Sequence, residues 1–162
     1  MNFRYANLED LGEIVRIYNS TVPGRMVTAD LETVTVEQRM DWFYAHSNDK
    51  RPLWVMEIEG QIAGWLSFQS FYGRPAYDGT VEVSIYLDEN YRGRGFGEKL
   101  LQFAIENCQG YNIKVLLGFI FGHNIPSMKL FKKYGFGAWG NLERIAVLDS
   151  LERDLIIMGK RI

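Results

Sequence analysis

A chain of 162 residues with 14% aromatic and 23% charged residues can close a hydrophobic core of its own and reads as one domain over residues 1–162. The formal net charge of −2 and the lack of a lysine/arginine block argue against nucleic acid or an anionic membrane as partner. With no apolar run of about 18 residues and no cleavable leader pattern, a cytoplasmic protein is expected, while the lone Cys108 and the unclustered His46 and His123 predict neither disulfide nor metal site.

Phe3–Ala6 reads as a short strand, after which Asn7 can cap a helix with Leu8, Leu11, Val15 and Tyr18 on its apolar face. Pro23-Gly24 breaks that helix, and a loop leads to a second one with Thr35 and Gln38 at capping-box spacing and Val36, Met40 and Phe43 on one face. The loop Ser20–Asp30 either walls a pocket or merely covers a sheet. Pro52–Ile58 and Gln61–Phe71 read as strands joined through Glu59-Gly60. The loop Tyr72–Asp78 brings Arg74 and Tyr77 to the start of the next strand, where substrate loops often stand on rigid sheets.

Thr80–Leu87 is the strand around which the chain is organised. Period-two alternation puts Val81, Val83, Ile85 and Leu87 on one face and Thr80, Glu82, Ser84 and Tyr86 on the other. A carboxylate there is either solvated on an open face or retained for chemistry. The glycines at 93, 95 and 97 and a helix starting at about Gly95 then make an anion site from backbone N–H groups and a positive dipole end. Glu98 stands where a dinucleotide fingerprint needs glycine and where a P-loop needs lysine, so neither motif fits.

Phe96, Leu100, Phe103, Ala104 and Cys108 recur at helical spacing, and Gly110 is placed to end that helix. Cys108 reads as a small buried hydrophobe rather than a nucleophile. The nearly all-apolar Lys114–Phe121 predicts a strand covered on both faces and a parallel crossover. A last helix runs from Asn124, its N-cap, to Gly135, with Ser127, Leu130, Phe131 and Tyr134 on one face. Phe136–Trp139, Ile145–Leu148 and Leu155–Met158 complete the chain as strand-like segments.

The ordered set of Arg92-Gly-Arg-Gly95-Phe-Gly97, Asn124-x-x-Ser127 and Tyr134-Gly-Phe136 after an N-terminal helix resembles the GNAT-type N-acetyltransferases along nearly the whole chain. Tyr77-Asp78-Gly79-Thr80-Val81-Glu82, Ser84-Ile85-Tyr86 and Ile17-Tyr18-Asn19 are similar to the phosphinothricin acetyltransferase branch. The resemblance implies an α+β fold with a mixed, mostly antiparallel sheet of about six or seven strands and about four helices on both faces. It also implies acetyl-CoA as donor, a homodimer, and direct transfer to a small-molecule amine such as phosphinothricin or methionine sulfoximine.

On this resemblance the donor pyrophosphate lies on the backbone of Arg92, Gly93, Arg94, Gly95, Phe96 and Gly97. The pantetheine arm follows Ile85 and Leu87, where a strand bulge opens a slot, and meets Asn124 with Ser127 nearby. Glu82 matches the branch's general base and Tyr134 the family's general acid, with His123 a reserve base. Arg74, Tyr77 and Arg25 are candidate acceptor contacts, the two arginines because a guanidinium binds carboxylate bidentately. Asp149–Asp154 departs from the branch's C-terminal pattern, with Leu151 where an aromatic is expected, so the acceptor can differ. Protein or peptide acetylation and a non-catalytic acyl-CoA-binding module are the competing readings.

Overall fold

The computed structural model describes residues 1–162. Seven strands, β1 (Asn2–Tyr5), β2 (Leu53–Ile58), β3 (Gln61–Ser70), β4 (Thr80–Leu87), β5 (Val115–Phe121), β6 (Gly137–Leu148) and β7 (Leu151–Arg161), form one sheet in the order β1-β2-β3-β4-β5-β7-β6. Only the β4–β5 pair is parallel. Four helices complete the expected α+β architecture: α1 (Leu11–Asn19), α2 (Val36–Tyr44), α3 (Phe96–Asn107) and α4 (Ile125–Lys133).

Strand alternation divides the core in two. Leu53 and Val55 of β2 and Trp65 of β3 pack against Ile14, Ile17 and Tyr18 of α1, with Trp42 and Phe43 of α2 at the margin. Trp54, Met56, Leu66, Phe68, Val81 and Val83 turn the other way, onto Leu100, Leu101 and Ala104 of α3 and Phe131 of α4. Helices therefore cover both faces.

Local chemistry sets the element ends. Asp10 accepts from the Asn7 N–H at 2.7 Å and shapes a 3-10 turn over Leu8–Asp10, so α1 starts later than predicted and Leu8 stays exposed. The capping box of α2 forms as its spacing requires, Gln38 N–H donating to Thr35 Oγ1 at 3.2 Å and Thr35 N–H to Gln38 Oε1 at 2.8 Å. The three C-terminal segments prove to be two long strands. The polar run around Asn141–Arg144 hides the alternation because β6 loses register with β7 there, and Asp149 and Ser150 turn the hairpin with φ of 49° and 68°.

The opening that matters lies between β4 and β5. Their pairing stops after Thr80↔Val115, Val81↔Leu116 and Glu82↔Leu117, while β5 continues along β7 to Phe121. The expected bulge in β4 is not what opens it, because β4 holds an unshifted register with β3 from Gly64↔Leu87 to Ser70↔Val81. Helix spacing is the physical reason we find: α3 lies on β3 and β4, and α4 on β5. Packed helices need about 8–10 Å between axes, against about 4.7–4.9 Å between strands, so the two strands are drawn apart.

Candidate active site

A cavity of about 320 Å³ fills the gap. Its walls are Glu82–Tyr86 of β4, Gly118–Phe121 of β5, and Asn124, Ser127 and Phe131 on one face of α4. Val27–Ala29 from the α1–α2 loop and Ile145, Ala146 and Leu155 from the last hairpin close the sides.

Backbone phase decides what the walls offer. Asp88 N–H donates to Ala63 O at 2.9 Å and Phe71 N–H to Thr80 O at 3.4 Å, which turns the even-numbered peptide groups of β4 toward β3. Those of Val83, Ile85 and Leu87 face the opening. By the same logic, Gly122 N–H on Asp154 O and Ile162 N–H on Lys114 O, both 2.9 Å, leave Phe119 and Phe121 facing it from β5. The slot thus presents peptide groups without a strand partner, although the Leu87 carbonyl accepts from Arg92 Nε at 3.3 Å and the Phe121 carbonyl from the Asn124 N–H at 2.9 Å.

Glu82 enters the cavity as a half-buried carboxylate with no ion-pair partner, and burial alone pushes its pKa above the usual carboxylate range. Tyr86, four residues on, is stacked on Trp65 with ring centroids 4.3 Å apart, and burial raises its phenol as well. Behind it, Tyr18 bonds Thr28 Oγ1 at 2.5 Å and also Asp30, while the Arg39 guanidinium lies 4.2 Å above the Tyr18 ring. This network holds the Thr28 side of the cavity, and Arg39 carried no signal in the sequence beyond its place on α2.

Where β4 ends, Asp88 accepts from the Asn90 N–H at 2.8 Å and from Arg16, anchoring the turn into the glycine loop. Gly93 and Gly95 adopt φ of 71° and 81°, which require glycine at low strain, and Gly95 caps α3. None of the N–H groups from Gly93 to Glu98 finds a backbone acceptor, the first helical bond being Lys99 N–H to Gly95 O. Arg92 and Arg94 are exposed with no carboxylate partner, Arg94 resting against Tyr91 and Phe96 at 5.5 and 5.2 Å. An uncommitted row of N–H donors, two guanidiniums without a counter-charge, of which Arg92 also bonds Leu87 O and Ser20 Oγ, and a helix N-terminus fit a bound diphosphate.

Of the residues expected from the sequence, Glu82, Ile85, Asn124 and Ser127 meet in this cavity, with Leu87 and the Arg92–Gly97 loop continuing from its β4 wall. Asn124 is more committed than expected: Oδ1 accepts from the Ser127 N–H at 3.2 Å and Nδ2 donates to Met26 O at 3.0 Å. Its amide fastens the α1–α2 loop over the cavity and keeps one N–H and one oxygen lone pair uncommitted. Arg25 is likewise occupied, by Asp149 at 2.9 Å and by the carbonyls of Val22 and Leu31 at 3.1 and 2.8 Å. It pins the loop and does not line the cavity. Arg74 and Tyr77 stand exposed on the β3–β4 loop, outside the walls.

Tyr134 caps the far end of α4, and the cavity wall ends one turn earlier, at Phe131. Its hydroxyl is at the first turn of α3, where Glu98 is held below the usual carboxylate range first by Lys133 and also by Tyr134. His123 Nε2 donates to Arg25 O at 2.7 Å, and the ring is not part of the wall. Cys108 is buried, donates to Ala104 O at 3.2 Å and has its thiol pushed up to about 12 by burial, which removes it as a nucleophile. Sequence reading missed Phe131 and Ile145–Ala146, while Val27–Ala29 belong to the loop Ser20–Asp30, for which a pocket wall was one of the two readings. Gly118 was a usable signal for Phe131, since glycine inside an apolar strand marks a close approach.

Comparison with known proteins agrees with this fold. The profile of the Acetyltransferase (GNAT) family matches residues 13–136. YwnH of Bacillus subtilis (strain 168), provisionally named a phosphinothricin acetyltransferase, is 52% identical over 100% of this chain and 99% of its own length. The L-methionine sulfoximine/L-methionine sulfone acetyltransferase of Pseudomonas paraeruginosa (strain PA7) is 29% identical over 89% and 84%. A crystal structure of a provisionally named phosphinothricin N-acetyltransferase superimposes with a TM-score of 0.96 at 52% identity, covering 99% of this chain and 97% of that one. The yncA acetyltransferase of Salmonella typhimurium, solved with its cofactor acetyl-CoA, gives 0.92 at 27% identity over 99% and 93%. With more than half its length matched by the family profile and a full-length relative sharing half its residues, the chain belongs to the GNAT family of N-acetyltransferases.

Proposed function

We propose that the protein transfers the acetyl group of acetyl-CoA to the amine of a small molecule, an amino acid or an analogue such as phosphinothricin or methionine sulfoximine. The observation that carries this reading is the single unpaired carboxylate of Glu82 inside a slot walled by free strand peptide groups. Bound there, acetyl-CoA supplies a thioester carbonyl open to attack.

The N–H groups of Gly93–Glu98, with Arg92 and Arg94, hold the donor's diphosphate. The peptide groups of Val83 and Ile85 and the Leu87 N–H align its amide-bearing arm as an added strand would be aligned. Glu82 takes the proton that an ammonium must lose before its nitrogen can attack, and its raised pKa brings it nearer to the amine's own. Uncommitted N–H groups along the slot favour the negative charge that develops on the carbonyl oxygen. Tyr134, at the α3 end, belongs with the donor loop in this reading and not with the reacting atoms. A cavity of about 320 Å³ suits a small amine better than a protein chain. The whole chain acts as one catalytic unit, and the homodimer is part of the proposal, supported by the exposed Trp139, Val147 and Leu151 on the last hairpin.

The test is thiol release from acetyl-CoA with amine acceptors between pH 6 and 9. Glu82→Gln should lower turnover by about 10²–10⁴-fold, most at low pH, and leave the thermal shift on adding acetyl-CoA intact. A pH–rate profile unchanged from the wild type would remove Glu82 as the base.

A further inference from the structure

The acceptor end of the cavity is shaped by an irregularity in β6. Leu142 pairs with Leu155 and Ala146 with Arg153, so Glu143, Arg144 and Ile145 stand opposite Asp154 alone. Arg144 takes a φ of 50°, a left-handed conformation unfavourable for a residue with a Cβ and a long side chain. Asp154 holds the bulge in place: Oδ1 accepts from the Arg144 N–H at 2.8 Å and Oδ2 from Asn141 Nδ2 at 3.4 Å. Bulges near sites re-aim side chains, and this one delivers Ile145 and Ala146 to the wall beside Leu155. Among all the residues lining the cavity, Glu82 is the only charged one, and no lysine or arginine faces in.

We propose that Ile145, presented by the Asp154-held bulge, reads the acceptor's side chain, and that the site selects amines whose side chain is short and uncharged over those carrying a second anion. The inference rests on the acetyl-transfer reading above. With the amine at Glu82, the rest of the acceptor lies among Val27, Ala29, Ile145, Ala146 and Leu155. Both kinds of acceptor share an α-carboxylate, and an anionic side chain would add a second negative charge among these residues, stripped of water with no cation to meet it and beside Glu82. A neutral chain of the same shape meets only apolar contact.

L-methionine sulfone and phosphinothricin are a suitable probe pair, because a neutral methyl sulfone replaces a methyl phosphinate anion on the same two-carbon chain. The wild-type protein should show a kcat/KM at least about tenfold higher for the sulfone. Ile145→Arg, at a position 59% exposed and so tolerant of the change, should shift the ratio toward phosphinothricin by about tenfold or more with Tm unchanged. Asp154→Asn, which weakens the hold on the bulge, should raise KM for the sulfone more than it lowers kcat. Equal or reversed preference in the wild type, or a ratio untouched by Ile145→Arg, would overturn the inference while acetyl transfer stands. Thiol release with neither probe nor any other amine would overturn the underlying reading, and the inference with it.

Discussion

Gly118→Ala tests how the cavity is built. Gly118 lies within β5 facing α4, and a Cβ there would stand 2.5 Å from Cε1, 3.1 Å from Cδ1 and 3.2 Å from Cζ of Phe131. The ring has little room to yield, being 3% exposed and packed edge-on against Phe136 at 4.8 Å. Either the ring tilts or α4 lifts from β5. Overpacking of this kind costs about 1–3 kcal/mol, and for a chain of this size each kcal/mol lowers Tm by about 2–4 °C, so a drop of roughly 2–12 °C is expected. Because Phe131 shares the cavity wall with Ser127, KM for acetyl-CoA should rise while the pH–rate profile, set by Glu82, stays put. Thermal unfolding and thiol-release kinetics measure the two effects. Adding Phe131→Leu should recover part of the lost stability, since the two sites are in contact and their effects should not add. An unchanged Tm, or the same loss in the Phe131→Leu background, would refute the contact as the cause.

At Asp88, burial pushes the carboxyl's pKa up, but bonds from Arg16 and the Asn90 N–H hold it below the usual range. A folded-state pKa below the unfolded one stabilises the protein at neutral pH, and that contribution disappears as pH falls below about 4. Asp88→Asn should therefore lose about 1–2 kcal/mol by urea titration at pH 7, a figure kept low because the Arg16 side chain is 47% exposed. The gap should close toward pH 3, and one that stayed constant would count against the ion pair. Glu82 has the opposite sign: its pKa is raised by burial, so its ionisation weakens the fold as pH climbs past the unfolded value of about 4.3. Glu82→Gln is expected to raise Tm at pH 8 and to match the wild type near pH 4, and a lower Tm at pH 8 would contradict a desolvated carboxylate. Tyr134→Phe should alter KM for acetyl-CoA and leave the pH–rate profile alone, whereas loss of the alkaline limb would return Tyr134 to the reacting atoms.

Much of the fold was legible because local rules act alone at its clearest points. The alternation in Thr80–Leu87, the Thr35/Gln38 capping box, the Asn124 N-cap and the glycines that start α3 all formed where the residues predicted. The glycine loop was legible for the same reason, since what it offers is the backbone N–H groups of consecutive residues. Local rules failed on β6, where a bulge held by a side chain from the neighbouring strand breaks the alternation that a strand needs to be seen.

Side-chain commitments were the part that chain order could not reveal. Asn124 and Arg25 look like free ligand groups in one dimension, yet Arg25 is taken up by Asp149 and two carbonyls, and Asn124 gives one of its amide N–H groups to Met26 O. Tyr134 lies within two turns of Ser127, but the cavity ends at Phe131, because the gap between β4 and β5 fixes which stretch of α4 is exposed to it. Local residue order was enough to specify the β4 strand, the glycine loop and a carboxylate on Glu82's face. Long-range packing sets the rest: β4 and β5 separate beyond Glu82, this carboxylate is unpaired there, and a hairpin from the other end of the chain supplies the apolar wall. Each depends on contacts between segments far apart in sequence, whose energies are invisible to any local pattern.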